Sequence, residues 1–265
     1  MATIIDQVTL RTGVADWLNR SDLTDNQLDD FIAIGEARLY EELRVPTLEV
    51  VQSFSVTSTN SSIIIPTGFI EMIELKLDDS TDKDEDIILS RVDSKTFSNN
   101  KISHAYTRQG NNFLLTDKSG NQEASGTYTM TYYKAEDPIG TYATATTAAA
   151  ALVVGKYYKI AAAGNTTWTN HGAANSNVGT IFKATSVGSG NGTAYVETIP
   201  WILGTEFETI LFATATVGST FLGDVEMETK FNDLTLRKVG ALNAKEIRAS
   251  TKGGGFHSAF SDGLL

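Results

Sequence analysis

The chain carries three histidines, His104, His171 and His257, and no cysteine. Histidine and cysteine supply most transition-metal ligands and most nucleophile–base pairs of covalent catalysis. The three histidines are far apart in the chain, and none is spaced from another as metal ligands are. His104 stands beside Ala105-Tyr106 at the start of an apolar run, and His171 lies in an Asn/Gly turn; both read as structural. No serine has the Gly-x-Ser-x-Gly setting of an elbow nucleophile. The densest acidic run is Asp78-Asp79-Ser80-Thr81-Asp82-Lys83-Asp84-Glu85-Asp86. A calcium loop needs a glycine-enforced turn and a bidentate acid at a fixed offset. Both are absent, so the run reads as a solvated hairpin loop. Gly188-Ser189-Gly190-Asn191-Gly192 looks like a phosphate loop, but no Lys-Ser/Thr follows and a strand pattern comes next. Asn-x-Ser/Thr triplets at Asn19, Asn60, Asn165 and Asn191 carry little weight without a secretion signal. The carboxylates are too numerous for a glycosidase pair to be singled out. The sequence therefore offers no catalytic residue, no metal ligand set and no cofactor motif, and the expectation is a protein that is not an enzyme.

Composition narrows the class. A chain of 265 residues can bury one large core or two smaller ones. Without cysteine there are no disulfides, thiolate-bound zinc or iron–sulfur clusters. No long uninterrupted apolar run predicts a transmembrane helix, and Met-Ala-Thr-Ile-Ile-Asp-Gln lacks the basic start of a signal peptide. The formal net charge of −11 repels DNA phosphate, and no basic patch offsets it.

The elements follow from periodicity. Residues 2–19 predict a first helix with Ile5, Val8, Leu10, Val14, Trp17 and Leu18 as its stripe. Thr24 and Gln27 have capping-box spacing and open a second helix, which should end near Arg44 because Val45 precedes Pro46. Leu28, Phe31, Ile32, Gly35, Leu39 and Leu43 form its apolar face. Asp29, Asp30, Glu36, Arg38, Glu41, Glu42 and Arg44 are placed on the wet face. From Glu49 the pattern turns to short strands: Val50–Val56, Ile63–Ile65, Ile73–Leu77, Ile87–Leu89, Phe113–Leu115 and Tyr128–Tyr132. These predict an antiparallel β module over residues 49–142 with five to seven strands.

Residues 143–198 hold only four charged side chains, Lys156, Lys159, Lys183 and Glu197, between flanks rich in Asp and Glu. The shift reads as an inserted small all-β domain, with Tyr157, Ile160, Trp168, Ile181, Phe182, Tyr195 and Val196 as its core. Asn191-Gly192 is a hairpin signal between Lys183-Ala184-Thr185 and Thr193–Val196. Helical pattern resumes at Pro200-Trp201, and Gly223-Asp224 precedes a last helix over about Val225–Ala249. The fold class is thus α+β: residues 1–48 and 199–250 make a helical bundle around a β middle. Gly253-Gly254-Gly255 uncouples a tail, residues 251–265, that carries Phe256, His257, Phe260, Leu264 and Leu265. Such a tail either frays or orders when its apolar anchors dock on a partner.

Trp17-Leu18-Asn19-Arg20-Ser21-Asp22-Leu23, then Ile34-Gly35-Glu36-Ala37-Arg38 and Glu42-Leu43-Arg44, resemble the head-to-tail adaptor (connector) proteins of short-tailed and related tailed phages. The likeness continues through Ile65-Pro66-Thr67-Gly68-Phe69-Ile70-Glu71, Tyr106-Thr107, Thr131-Tyr132-Tyr133 and the C-terminal helices, leaving out the insert. The resemblance implies a homo-oligomeric ring, usually of twelve subunits, beneath the portal protein in the virion. Glu36, Arg38, Glu41, Glu42 and Arg44 become candidate subunit contacts. The tail with Phe256, His257, Phe260, Leu264 and Leu265 becomes a portal-docking arm. The ring's other side would receive the tail nozzle or tube protein, and DNA would pass through as cargo. No cofactor and no membrane are implied, and the chain would be made in the host cytoplasm. Residues 152–185 are similar to a small β module of assorted phage structural proteins, with tail fibres among its candidate partners. The alternative is a tail component whose insert binds glycans through Trp168, Tyr157 and Tyr158.

Overall fold

The computed structural model describes residues 4–78, 87–99 and 101–253, with the backbone alone for residues 99 and 245–253. Among these the helices are α1 (Gln7–Trp17), α2 (Asp25–Glu42), α3 (Ser94–Asn99), α4 (Trp201–Gly204), α5 (Phe207–Leu222) and α6 (Val225–Gly253). The strands are β1 (Glu49–Val56), β2 (Ser62–Ile64), β3 (Phe69–Asp78), β4 (Ile87–Ile88), β5 (Ser90–Arg91), β6 (Ala105–Gln109), β7 (Asn112–Leu115), β8 (Gly126–Lys134), β9 (Tyr142–Ala148), β10 (Tyr157–Ala162), β11 (Ile181–Lys183) and β12 (Thr193–Glu197). The class is α+β. The chain divides into two compact units: one joins the residues up to Leu43 with Asp137–Ala244, and the other is built on Arg44–Glu136.

In the first unit α1 begins at Gln7 rather than at residue 2. Asp6 is its N-cap, accepting from Thr9 N at 2.8 Å while Thr9 Oγ1 accepts from Asp6 N at 3.1 Å. This reciprocal pair satisfies two backbone donors and fixes the start. Ile5 consequently falls outside the stripe and is exposed. The Thr24–Gln27 box opens α2 as its spacing predicts, and Leu28, Phe31, Ile32, Gly35 and Leu39 are buried. The face they form packs on α5. A methyl group at Gly35 would stand 2.9 Å from Thr214 N and 3.0 Å from Thr214 Cα, so the two backbones meet where no side chain fits.

α5 does not start at Pro200. Pro200 caps the short α4, and a non-helical Glu206 separates it from α5. Every residue from Thr209 to Ser219 in α5 is buried, which makes it the central helix of the unit. Gly223, with φ +71°, closes it in the left-handed conformation, and Asp224 caps α6 by accepting from Met227 N at 3.0 Å.

The same unit carries a four-stranded antiparallel sheet in the order β11-β10-β12-β9. Its cluster is Ala149, Leu152, Tyr158, Ile160, Trp168, Ala173, Phe182, Ala184 and Ala194, with Val196 against it. Ile160, Trp168, Phe182 and Val196 match the sequence reading. Tyr158 replaces Tyr157 in the core, and Ile181 is half exposed, because β10 and β11 present their even-numbered residues inward. Asn191-Gly192 is not a hairpin turn between β11 and β12: both strands flank β10 and never pair with each other. Instead Asn191 and Asn165 exchange side-chain-to-backbone hydrogen bonds of 2.9 and 2.8 Å and tie two loops together. The chain leaves and re-enters the rest of the unit at one place. Tyr142 is in register with Glu197, and Thr198 N donates to Thr141 O at 2.8 Å.

The second unit holds two four-stranded sheets, β1-β8-β3-β4 and β2-β7-β6-β5. That is eight strands where five to seven were expected, and one pair, β5 with β6, is parallel. One apolar cluster draws on both sheets, including Val56, Leu75, Tyr128, Met130 and Tyr132 from the first and Ile63, Tyr106, Phe113 and Leu115 from the second. Phe69 stacks on Tyr132 at 5.5 Å and meets Phe113 edge-on at 5.5 Å. Ile73 was expected inward with Leu75 and Leu77, but it is exposed. The register of β3 against β8 slips between Met72 and Glu74, and the extra residue turns Ile73 out.

Candidate functional site

The residues expected to share one wet face of α2 are not together. Glu36 is 5% exposed, and its Oε2 accepts from Ile139 N at 3.1 Å. It lies in the buried stripe, four residues after Ile32 and three before Leu39, so it is not a surface contact residue. A carboxyl group among apolar neighbours needs such a donor. Arg38 is exposed on α2, and Glu41 and Glu42 are exposed at its end, where Asn243 Nδ2 donates to Glu42 O at 3.1 Å. Arg44 lies beyond the helix in the second unit. Its Nε donates to Glu71 Oε2 at 2.6 Å, and its guanidinium stands 5.7 Å from the Tyr133 ring centroid. Phe256, His257, Phe260, Leu264 and Leu265 lie outside the described residues, as does most of the acidic run after Asp78.

The structure gathers a different polar group in the first unit. Glu197, at the end of β12, accepts from Gln7 N at 3.0 Å, the first residue of α1. Gln7 Nε2 donates to Asp29 Oδ1 on α2 at 2.9 Å. Asp29 also takes a two-pronged contact from Arg11, through Nε at 2.6 Å and through Nη2, and Asp25 lies 3.3 Å from Arg11 Nη1. Burial opposes the Arg11 charge, but the hydrogen bond and charge of Asp29, with Asp25, hold it above its ordinary value. Burial pushes the Glu197 carboxyl above its usual range. The Gln7 N–H works against that shift, Asp6 adds to it, and Arg11 opposes it. Burial, then the Glu197 charge, raises the Tyr142 phenol to about 12. This network locks β12, α1 and α2 in place. It contains no nucleophile–base pair, and its carboxylates are spent on backbone and guanidinium donors. The missed signal was Asp6-x-x-Thr9, which marks where α1 begins.

The aromatics proposed for sugar stacking are structural. Trp168 is fully buried, with Nε1 donating to Ala163 O at 3.0 Å. Tyr158 is 1% exposed, and its hydroxyl accepts from Val153 N at 3.0 Å. Tyr157 stays partly exposed beneath the Lys183 ammonium, 5.6 Å from its ring centroid. His171 is also buried rather than in an open turn, with Nδ1 2.9 Å from Ser186 Oγ. Among the described residues no three His, Asp or Glu side chains are grouped to hold a metal ion, and no helix is long and apolar enough to cross a membrane.

The surface of the first unit also carries concave apolar features. Two of these depressions are lined largely by helices. One, of about 410 Å³, lies between α2 and α5 and is lined by Phe31, Ile34, Arg38, Val217 and Phe221 among others. Phe221 is 60% exposed there, its ring centroid 5.2 Å from that of Phe31. The other, of about 420 Å³, lies between α1 and α6 and is lined by Ile4, Thr9, Gly13, Asp16, Trp17, Met227 and Lys230. An exposed aromatic beside a concave apolar surface is a mark of protein–protein contact.

The sequence model of one family, described as SU10 adaptor protein, matches residues 8–170. The match covers α1 from Val8 onward, α2 and residues 44–136, and it runs into the small sheet as far as the segment around Trp168. No curated protein matches the chain. With more than half its length matched, the chain belongs to the SU10 adaptor protein family and is a structural phage protein of the head-to-tail adaptor kind.

Proposed function

We propose that the chain forms a ring, of twelve copies in the usual case, that joins the portal to the tail and surrounds part of the DNA channel. The family match over residues 8–170 carries this reading. The helix-lined depressions of the first unit support it, because a subunit that does no chemistry needs two faces for its neighbours. The charge of −11 supports it too, since DNA slides past an acidic wall without adhering. Of the arm expected over residues 251–265, α6 takes the first three, and the rest acts as the docking arm, with Phe256, His257, Phe260, Leu264 and Leu265 reaching the portal. The opposite side of the ring receives the tail nozzle or tube. The small sheet of residues 143–198, although it shares a compact unit with the helices, faces outward from the ring, where it meets fibres or neighbouring tail proteins. The glycan-binding alternative is left with Tyr157 alone, because Trp168 and Tyr158 are committed to the core.

Binding to purified portal rings, followed by electron microscopy, tests the reading. The full chain should decorate one end of the portal, and a variant lacking residues 253–265 should fold but fail to bind. Full binding by the truncated variant would remove the arm's role. No binding by the full chain would remove the adaptor assignment at the portal.

A further inference from the structure

We propose that the two depressions of the first unit are the two halves of one subunit contact, each receiving the opposite half from a second copy of this chain. This rests on the ring reading and specifies the surfaces that make it. Phe212 of α5 faces α1 and α6: its ring is 5.4 Å from Trp17 and 6.4 Å from Phe231. Phe221 of the same helix faces α2 through Phe31. Nine residues separate them, which at 3.6 residues per turn is about 180° around the helix. The Phe221 face and the Trp17–Met227 depression therefore lie on opposite sides of α5.

Their chemistry is complementary. The first face presents the exposed Phe221 and Ile34, bordered by Asp30 and Arg38. The second is a hollow lined by Ile4, Trp17 and Met227, bordered by Asp16 and Lys230. Each rim has one acid and one base, all four exposed, and among the described residues none of the four is in an ion pair or side-chain hydrogen bond within the chain. Phe221 of one copy enters the hollow of the next, with Arg38 toward Asp16 and Asp30 toward Lys230. A contact between unlike faces on opposite sides of a subunit is heterologous, and heterologous contacts propagate beyond a two-fold dimer, into a ring where the rotation between copies closes.

Two one-faced variants of the full chain test this. F221D disables the first face, and M227D/K230E disables the second; circular dichroism establishes that each is folded. Loss of a buried aromatic anchor should weaken association by about 30-fold or more. Mass photometry and sedimentation should show wild type forming oligomers larger than dimers. Each variant alone should be a monomer, and an equimolar mixture should stop at a one-to-one dimer, because only one intact pair of faces remains. Assembly of either variant alone, or no dimer in the mixture, overturns the proposal. A wild-type chain that stays monomeric at every concentration overturns it as well. Whether that monomer still decorates portal rings then decides the adaptor reading separately.

Discussion

Glu197 shows how one side chain ties chemistry to architecture. Its carboxylate holds the first N–H of α1, yet burial keeps its proton affinity above that of an ordinary glutamate at 4.5. The folded state therefore holds this proton to higher pH than the unfolded chain does. The stabilisation it gives is complete at acidic pH and is lost as pH rises from the ordinary value through the raised one. Glu197→Gln keeps an acceptor for Gln7 N and removes the charge. The variant should match wild type in thermal stability near pH 5 and exceed it by a few degrees at pH 8. An identical pH profile for the two proteins would show that Glu197 is not the group responsible. At this scale legibility was uneven. The Thr24–Gln27 box could be read directly, because its spacing states its own hydrogen bonds. Glu36 was misplaced because residue type suggested exposure, while its position between Ile32 and Leu39 argued for burial. Position decided, and Ile139 N supplied the donor that makes it tolerable.

Elements were legible where their pattern was local. The α2 stripe, the strand that Pro66 stops and the break at Gly223 all follow from short-range signals. What escaped depends on distant partners. The bulge in β3 is set by its register against β8, so the clean alternation of Ile73, Leu75 and Leu77 misleads. Asn191-Gly192 has turn chemistry, but the strands on either side of it were claimed by β10 instead of by each other. The small sheet gives an element-scale test. Tyr142 and Glu197 are in register, so their Cα atoms stand about 5 Å apart as in any antiparallel pair. Replacing residues 143–196 with Asn-Gly should close a two-residue hairpin and leave α1, α2, α5 and α6 folded. Far-ultraviolet circular dichroism should then lose strand signal and keep its helical minima. Collapse of those minima would show that the helices depend on the sheet.

For the whole molecule the decisive quantities are charge and the pairing of surfaces. A chain at −11 with 32 acids against 21 bases should not bind duplex DNA. Gel retardation at 0.1 M salt should show no complex, and lowering the salt should not produce one. A complex that tightens at low salt would mean that a basic surface outweighs the global field, and the acidic-channel picture would fail. The proposed contact surfaces could not be read, because Phe221 on α5 and Met227 on α6 are unremarkable helix residues until the helices pack. The docking arm is proposed on the resemblance and on its apolar composition alone.

The closure at Thr141 and Thr198 makes this chain a natural carrier. A guest domain whose own ends lie side by side can be spliced between Tyr142 and Glu197 without stretching the host backbone. If twelve copies encircle each particle, such a graft would be displayed as a collar of defined number at one pole of the virion. That would be a stoichiometric platform for enzymes, tags or antigens, set by two hydrogen bonds to a single carbonyl oxygen.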